Sequence, residues 1–203
     1  MSRTLARYDA RPETTVAPNG SDPWRKLLAF GQPLGAVMQV AYTVADLNVA
    51  LAHWVRAMRV GPFFVFDDLA IEDERYYGAP SDVKLSIALA YSGSLCIELV
   101  QQRNDVPSVF HDAIRARGYG FHHWALSTDD LDADVARYGA FGARTAFSGR
   151  VAIGGRFAYL DTTEQLGGMV ELIEIDGKVE ELFANLKSVA EAWDGRDPVH
   201  RPG

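Results

Sequence analysis

The chain has 203 residues, 48% hydrophobic and 23% charged, a composition that supports a buried globular core and excludes disordered and fibrous classes. Twenty basic against 27 acidic residues give a formal charge of −7 without any basic run, so nucleic acid is not the expected partner. Apolar runs such as Leu85 to Tyr91 stop short of the ~18 residues of a spanning helix, and Met1 to Asp22 lacks a secretory apolar stretch, so no membrane partner and a cytoplasmic location are expected.

Residues 1 to 35 are polar and rich in Gly and Pro apart from Trp24 to Phe30, and read as an N-terminal arm docked on the body. Val37 to Val44 has strand composition. Asp46 then supplies a helix N-cap, and the run through Trp54 keeps helical spacing. Further strands are predicted at Phe63 to Phe66, Lys84 to Tyr91 and Leu95 to Gln101, with a hairpin turn at Ser92-Gly93 and a loop running through Tyr76-Tyr77-Gly78. Phe63, Phe64, Tyr76 and Tyr77 are candidate pocket walls. Cys96, the one cysteine, excludes an intrachain disulfide and a thiolate-rich zinc site, and reads as an inert core thiol.

The same order recurs 84 residues later, where Gln39 to Leu47 lines up with His123 to Leu131 and places Asp46-Leu47 on Asp130-Leu131. The match continues into the helix, with Ala52 and Trp54 on Ala136 and Tyr138, which read as helix core positions. It ends on Ile97-Glu98-Leu99 and Val170-Glu171-Leu172, with a shorter intervening loop. The predicted fold is therefore α+β: two paired βαβββ modules, 36–104 and 120–176, with a metal site between them. A helical linker at 105–119 joins them, ended by Gly118-Tyr119-Gly120. Residues 177–203 form a C-terminal helix and tail, with Val179, Leu182, Phe183, Leu186, Val189, Ala190 and Trp193 on one face that needs the body or a second subunit. With the arm, that face underlies the expectation of a homodimer.

The metal site rests on polar residues at matched places in apolar strands: Gln39 and His123 in each first strand, Glu98 and Glu171 in each last. Alternation sends Ile97, Leu99, Val170 and Leu172 toward helices and both carboxylates into a shared concavity. Two facing buried carboxylates repel each other and lose hydration, costs that a divalent cation removes. His122 faces the opposite way, toward helices or solvent. His53 and His111 read as surface or packing residues. Gly118-Tyr119-Gly120 and Gly154-Gly155 lack a nucleotide-site context and read as turns.

These residues resemble the vicinal oxygen chelate superfamily, also called the glyoxalase, bleomycin-resistance and extradiol dioxygenase superfamily. The resemblance covers about 36 to 176 and rests on Gln39 to Leu47, Ile97-Glu98-Leu99, Gly120 to Leu126 and Val170-Glu171-Leu172. It implies paired βαβββ modules curled around one metal, with Gln39, Glu98, His123 and Glu171 as ligands. That set is similar to zinc-type glyoxalase I, whereas methylmalonyl-CoA epimerases typically place His where Gln39 stands. Asp161 to Gly168 is longer than the corresponding glyoxalase turn, and no glutathione signature is present.

The resemblance implies a metal-dependent isomerase or lyase that removes a proton alpha to a carbonyl through a metal-stabilised enediolate or enolate. Glu171 is the leading catalytic base, with Glu98 on the opposite face. A further base near Glu72 or Glu74 is not assigned. The cofactor is a divalent ion, Zn, Ni, Co, Mn or Mg, and the partner a small-molecule substrate with vicinal oxygens. Arg59, Arg103, Arg144 and Arg156 could bind an anionic group but read as surface residues. An Fe(II) extradiol-type dioxygenase is the second enzyme reading, weakened by Gln39 where a second histidine is expected. A metal-free small-molecule binding, drug-sequestering protein on the same fold is the third.

Overall fold

The structure, a computed structural model, describes residues 26–202, so residues 1–25 of the expected arm lie outside the described residues. In chain order the elements are β1 (Val37–Thr43), α1 (Leu47–His53), β2 (Phe63–Phe66), β3 (Ile71–Tyr76), β4 (Ala79–Pro80), β5 (Leu85–Ser92), β6 (Leu95–Gln102) and α2 (Val109–Arg117). There follow β7 (Gly120–Thr128), α3 (Leu131–Ala140), β8 (Arg144–Val151), β9 (Arg156–Asp161), α4 (Thr163–Leu166), β10 (Met169–Glu174), α5 (Gly177–Glu191) and β11 (Val199–His200).

The helices start where their N-caps dictate. Asp46 accepts a hydrogen bond from the Val49 amide at 2.9 Å, and Asp130 accepts one from the Ala133 amide at 3.0 Å, the same device at equivalent repeat positions. Leu47 and Leu51 of α1 then pack on Ile97 and Leu99, and Leu131 of α3 packs on Val170 and Leu172. The two last strands are therefore fixed with the apolar neighbours of each carboxylate, Ile97 and Leu99 or Val170 and Leu172, outward on helices and the carboxylate itself turned inward. α1 continues as a wider π-type turn, Trp54–Met58, that stops at Arg59 with φ 56°.

All eleven described strands join one curled, unclosed mixed sheet in the order β11-β2-β5-β6-β1-β7-β10-β9-β8-β3-β4. Moving outward from the centre, β1, β6, β5 and β2 match β7, β10, β9 and β8. The register repeats as well: β1 pairs with β6 in parallel with Ala41 opposite Glu98, and β7 pairs with β10 in parallel with Ala125 opposite Glu171. The two halves meet antiparallel at β1 and β7. β5 and β6 are apolar nearly throughout because both of their faces are covered, one by α1 and the other by the inner core.

The expected loop through Tyr76-Tyr77-Gly78 is instead a hairpin. β3 and β4 turn at Tyr77 and Gly78, both with positive φ, and β3 leaves its own half to pair with β8 of the other. Its Glu72-Asp73-Glu74-Arg75 run carries no apolar alternation, because a strand near the edge of the sheet needs few buried side chains.

α5 opens on the Asp176 N-cap and buries Val179, Phe183 and Leu186 against the inner face of the sheet, where the Phe183 ring lies 5.5 Å from that of Phe30. Leu28, Phe30 and Leu34 are buried in the same cluster. The apolar face of the C-terminal helix is thus used within the chain, which removes the ground on which a subunit contact through it was expected. No described helix is long and apolar enough to cross a membrane.

Candidate metal centre

Gln39 on β1, Glu98 on β6, His123 on β7 and Glu171 on β10 come from the four central strands and converge below the concave face. Their exposures are 2, 6, 0 and 6%. One ligand atom from each of Glu98, His123 and Glu171 lies within 4.8 Å of the others. His123 Nε2 stands 3.1 Å from Glu171 Oε2 and 3.3 Å from Glu98 Oε2. Both contacts are too bent to be hydrogen bonds, so the nitrogen has charge neighbours and no bonded partner. The Gln39 amide nitrogen donates to Glu98 Oε2 at 3.0 Å, leaving Gln39 Oε1 buried without a partner.

Burial raises the Glu98 carboxyl, Glu171 adds to the rise, and His123 opposes it. For His123, burial alone would depress the imidazolium, but the adjacent Glu171 and Glu98 carboxylates outweigh it and hold the ring at about 9. Two carboxylates and one imidazolium leave a net negative charge in the interior. A divalent cation with a neutral imidazole leaves none, and the unpartnered atoms, Gln39 Oε1 and His123 Nε2, are an oxygen and a nitrogen lone pair that a cation would use. The residues therefore fit a divalent ion, which Glu98, His123 and Glu171 could hold with Gln39 beside them.

His122 lies against a helix, α2, one of the two settings expected for it, but its ring also turns back to His123. It is fully buried, stacked on Phe110 at 4.7 Å between ring centres, with Nε2 3.2 Å from the Val109 carbonyl and Nδ1 2.9 Å from His123 Nδ1. Burial, then the charge on His123, lowers it to about 3, so the ring is neutral. A carbonyl only accepts, so His122 carries its proton on Nε2, and its bare Nδ1 takes the hydrogen bond from His123 Nδ1–H. That chain turns His123 Nε2 toward the carboxylates.

Tyr159 on β9, opposite Glu171 in the strand register, was not singled out from the sequence. Burial, followed by the charges of Glu171 and Glu98, pushes its hydroxyl well above the usual phenol range, so it stays a protonated donor. Its only sequence signal is a tyrosine within the apolar stretch Phe157 to Leu160, which reads as core.

Above Gln39, Glu98, Tyr159 and Glu171 rises a cavity of about 340 Å³ bounded by the inner sheet face, α5, the 67–70 connection and the β8–β9 turn. Its aromatic walls are Phe66, Phe110, Phe147, Phe157 and Phe183. The expected wall residues lie elsewhere: Phe63 packs with α1, Phe64 stacks on His200, and Tyr76 donates to Asp112 at 2.6 Å next to Tyr77. Glu72 is exposed, and Glu74 accepts from the Val83 amide, so neither faces the cavity. Arg156 is tied to Glu174 and Asp132, Arg144 lies over the Tyr77 ring, and Arg59 and Arg103 are exposed. Cys96 is buried, with its thiol pushed up by burial.

Among solved structures, a hypothetical protein from Bacillus halodurans C-125 is 20% identical, with a TM-score of 0.52 over 70% of this chain and 95% of its own. Methylmalonyl-CoA epimerase from Mycobacterium tuberculosis is 22% identical, with a TM-score of 0.51 over 77% of this chain and 95% of its own. At such identities the likeness concerns the fold. No curated protein matches the chain by sequence. The mirrored halves, the shared inner face and the match of residues 38–159 to its family model together make the chain a member of the Glyoxalase/Bleomycin resistance protein/Dioxygenase superfamily.

Proposed function

We propose that the protein is a metal-dependent isomerase or lyase that moves a proton alpha to a carbonyl. The observation that carries this reading is the buried convergence of Gln39, Glu98, His123 and Glu171, with Gln39 Oε1 and His123 Nε2 unpartnered, at the floor of a ligand-sized cavity. Superfamily membership and an epimerase among the fold's neighbours agree with it.

A divalent cation held by the four residues would supply Lewis-acid polarisation of the substrate carbonyl. The chain's own residues do the rest. Glu171 takes the proton from the carbon next to the carbonyl, because its carboxylate borders the cavity beside the Tyr159 ring. Tyr159, protonated, donates toward the oxygens at the floor. Glu98 borders the cavity from the other half, placed to return the proton on the opposite face, as an epimerisation requires. Phe147, Phe157 and Phe183 exclude water and so strengthen each electrostatic contact.

The test is metal analysis of the native protein beside a Glu98→Ala, Glu171→Ala double variant, followed by proton NMR in D2O with 2-oxo aldehyde adducts, acyl-CoA esters and catechols. The expected result is stoichiometric metal lost in the double variant and deuterium entering next to a carbonyl. Oxygen-dependent ring cleavage of a catechol would favour the dioxygenase reading. Native protein that holds no metal and is not stabilised by any divalent ion would leave a small-molecule binding protein.

A further inference from the structure

The chemistry of the cavity changes sharply from floor to mouth. All the polar groups that could meet reacting atoms, Gln39, Glu98, Tyr159 and Glu171, lie at one end. Above them the walls are branched aliphatic and aromatic: Leu85, Ile87, Leu89, Phe147, Phe157 and Phe183 among others. No lysine or arginine is among the described residues lining the cavity, and the charged groups nearest the mouth are Asp67 and Asp68. The Arg201 guanidinium beside them is engaged by Asp67 and by the Asn48 side chain. At about 340 Å³ the space is at the small end of the roughly 300–1,000 Å³ typical of ligand sites.

Among the described residues that line the cavity a phosphate-bearing carrier would meet no lysine or arginine, and it would approach the exposed Asp68 on a chain of charge −7. An uncharged hydrocarbon body, by contrast, would displace water from walls that offer it no hydrogen bonds. Building on the carbonyl-substrate reading above, we infer that the substrate is a compact, uncharged molecule with two adjacent oxygens at one end and an aromatic or branched apolar body at the other. It is not a thioester on a nucleotide carrier. The floor takes the oxygens, and the walls select the body.

Calorimetric titration of the zinc-loaded and the EDTA-treated protein with four probes tests this. The probes are 2-hydroxyacetophenone, which has both features, hydroxyacetone, which lacks the ring, acetophenone, which lacks the second oxygen, and propionyl-CoA. In the loaded protein 2-hydroxyacetophenone should bind about tenfold or more tighter than hydroxyacetone, the size expected for burying a ring. Propionyl-CoA should bind more weakly than either aromatic ketone. Ile173 and Leu182 line the cavity and are only half-buried, so Ile173→Trp and, as a second variant, Leu182→Trp fill it from the side without touching the floor. Either should weaken the aromatic ketones about tenfold and leave hydroxyacetone and metal content unchanged.

Propionyl-CoA binding as tightly as 2-hydroxyacetophenone would overturn the inference, as would equal affinity for hydroxyacetone and the ring-bearing ketone. A preference for both aromatic ketones that is the same with zinc and with EDTA, with no advantage from the second oxygen, would support the apolar body. That result would overturn the metal-centred reading alone.

Discussion

The two halves of the sheet carry the same backbone and unlike chemistry. At equivalent positions the first half has Met38, Gln39, Leu89 and Glu98, where the second has His122, His123, Tyr159 and Glu171. Only the carboxylate is common. The first half supplies a neutral amide backed by a thioether and faced by an aliphatic side chain, none of which holds or moves a proton. The second supplies an imidazole backed by another imidazole and faced by a phenol. Duplicated architecture thus builds the symmetric cradle with its two carboxylates, and divergence in one half gathers the imidazoles and the phenol around Glu171 alone.

The sharpest way to break this comparison is to exchange the shared group on each side. Glu171→Gln should lower turnover by about 10²–10⁴-fold, the range of general-base catalysis, while substrate affinity changes little. Glu98→Gln should have the smaller effect if the halves differ as described. Steady-state kinetics on both variants decide it, and near-normal turnover of Glu171→Gln would end its role as base.

The next effect down is a competition between proton and cation at His123. In the cation-free protein the ring is held at about 9, above its ordinary value of 6.5, so its charged form stabilises the fold fully below about 6.5 and that contribution is lost as pH rises through 9. A cation needs the neutral ring, and must displace the proton below 9. The rise in Tm on adding zinc should therefore grow from pH 7 to pH 9, as the cation-free protein weakens and cation affinity strengthens. A shift that is flat or falls over that range would contradict it.

Smaller again is the effect of the residue behind the ligand. His122→Phe keeps the ring stack on Phe110 but removes the acceptor for His123 Nδ1–H, and should weaken metal binding about 10–100-fold, as loss of an outer-shell partner does. Met38→Leu at the equivalent place should leave affinity unchanged and cost less than ~1.5 kcal/mol of stability. Metal titration and thermal unfolding of the pair separate the two.

Much of this was legible in the sequence because it violated local expectation. Glu98 and Glu171 interrupt apolar strands at matched places, and the repeat places Gln39 against His123, so the fold and the four converging side chains follow from pattern. What obeys the ordinary pattern stayed hidden. Tyr159, Phe147 and Phe157 alternate as any core strand does, and nothing local distinguishes a wall from packing. Phe63 and Phe64 drew attention as an adjacent pair, yet adjacent residues on a strand point to opposite faces. β3 reads as loop because its charged run satisfies an edge, and its partner β8 is far away in sequence. His122 was placed by alternation alone, which does not show that α2 buries it or that its ring turns back to His123.

The smallest expected effect lies at the outer ends of the same last strands. Gln101 and Glu174 are equivalent, and each anchors the start of its half's helix. Gln101 does so with neutral bonds, accepting from the Leu47 amide at 3.0 Å and donating to the Ala45 carbonyl at 3.1 Å. Glu174 instead grips Arg156 through both oxygens, at 2.6 and 2.9 Å, and Arg156 reaches Asp132 in the first turn of α3. The Arg156 guanidinium holds the Glu174 carboxyl below its ordinary value of 4.5, so the tie is fully present above that value and is lost as pH falls through the lowered one. Because these side chains are partly exposed, Arg156→Ala should cost less than about 1 kcal/mol, and high salt should reproduce part of that loss. Amide exchange resolves the comparison: from pH 5 to pH 3 the first turn of α3 should lose protection relative to the first turn of α1, whose anchor has no charge to lose. Equal loss in both turns would mean that the ion pair adds nothing to what the neutral amide already does.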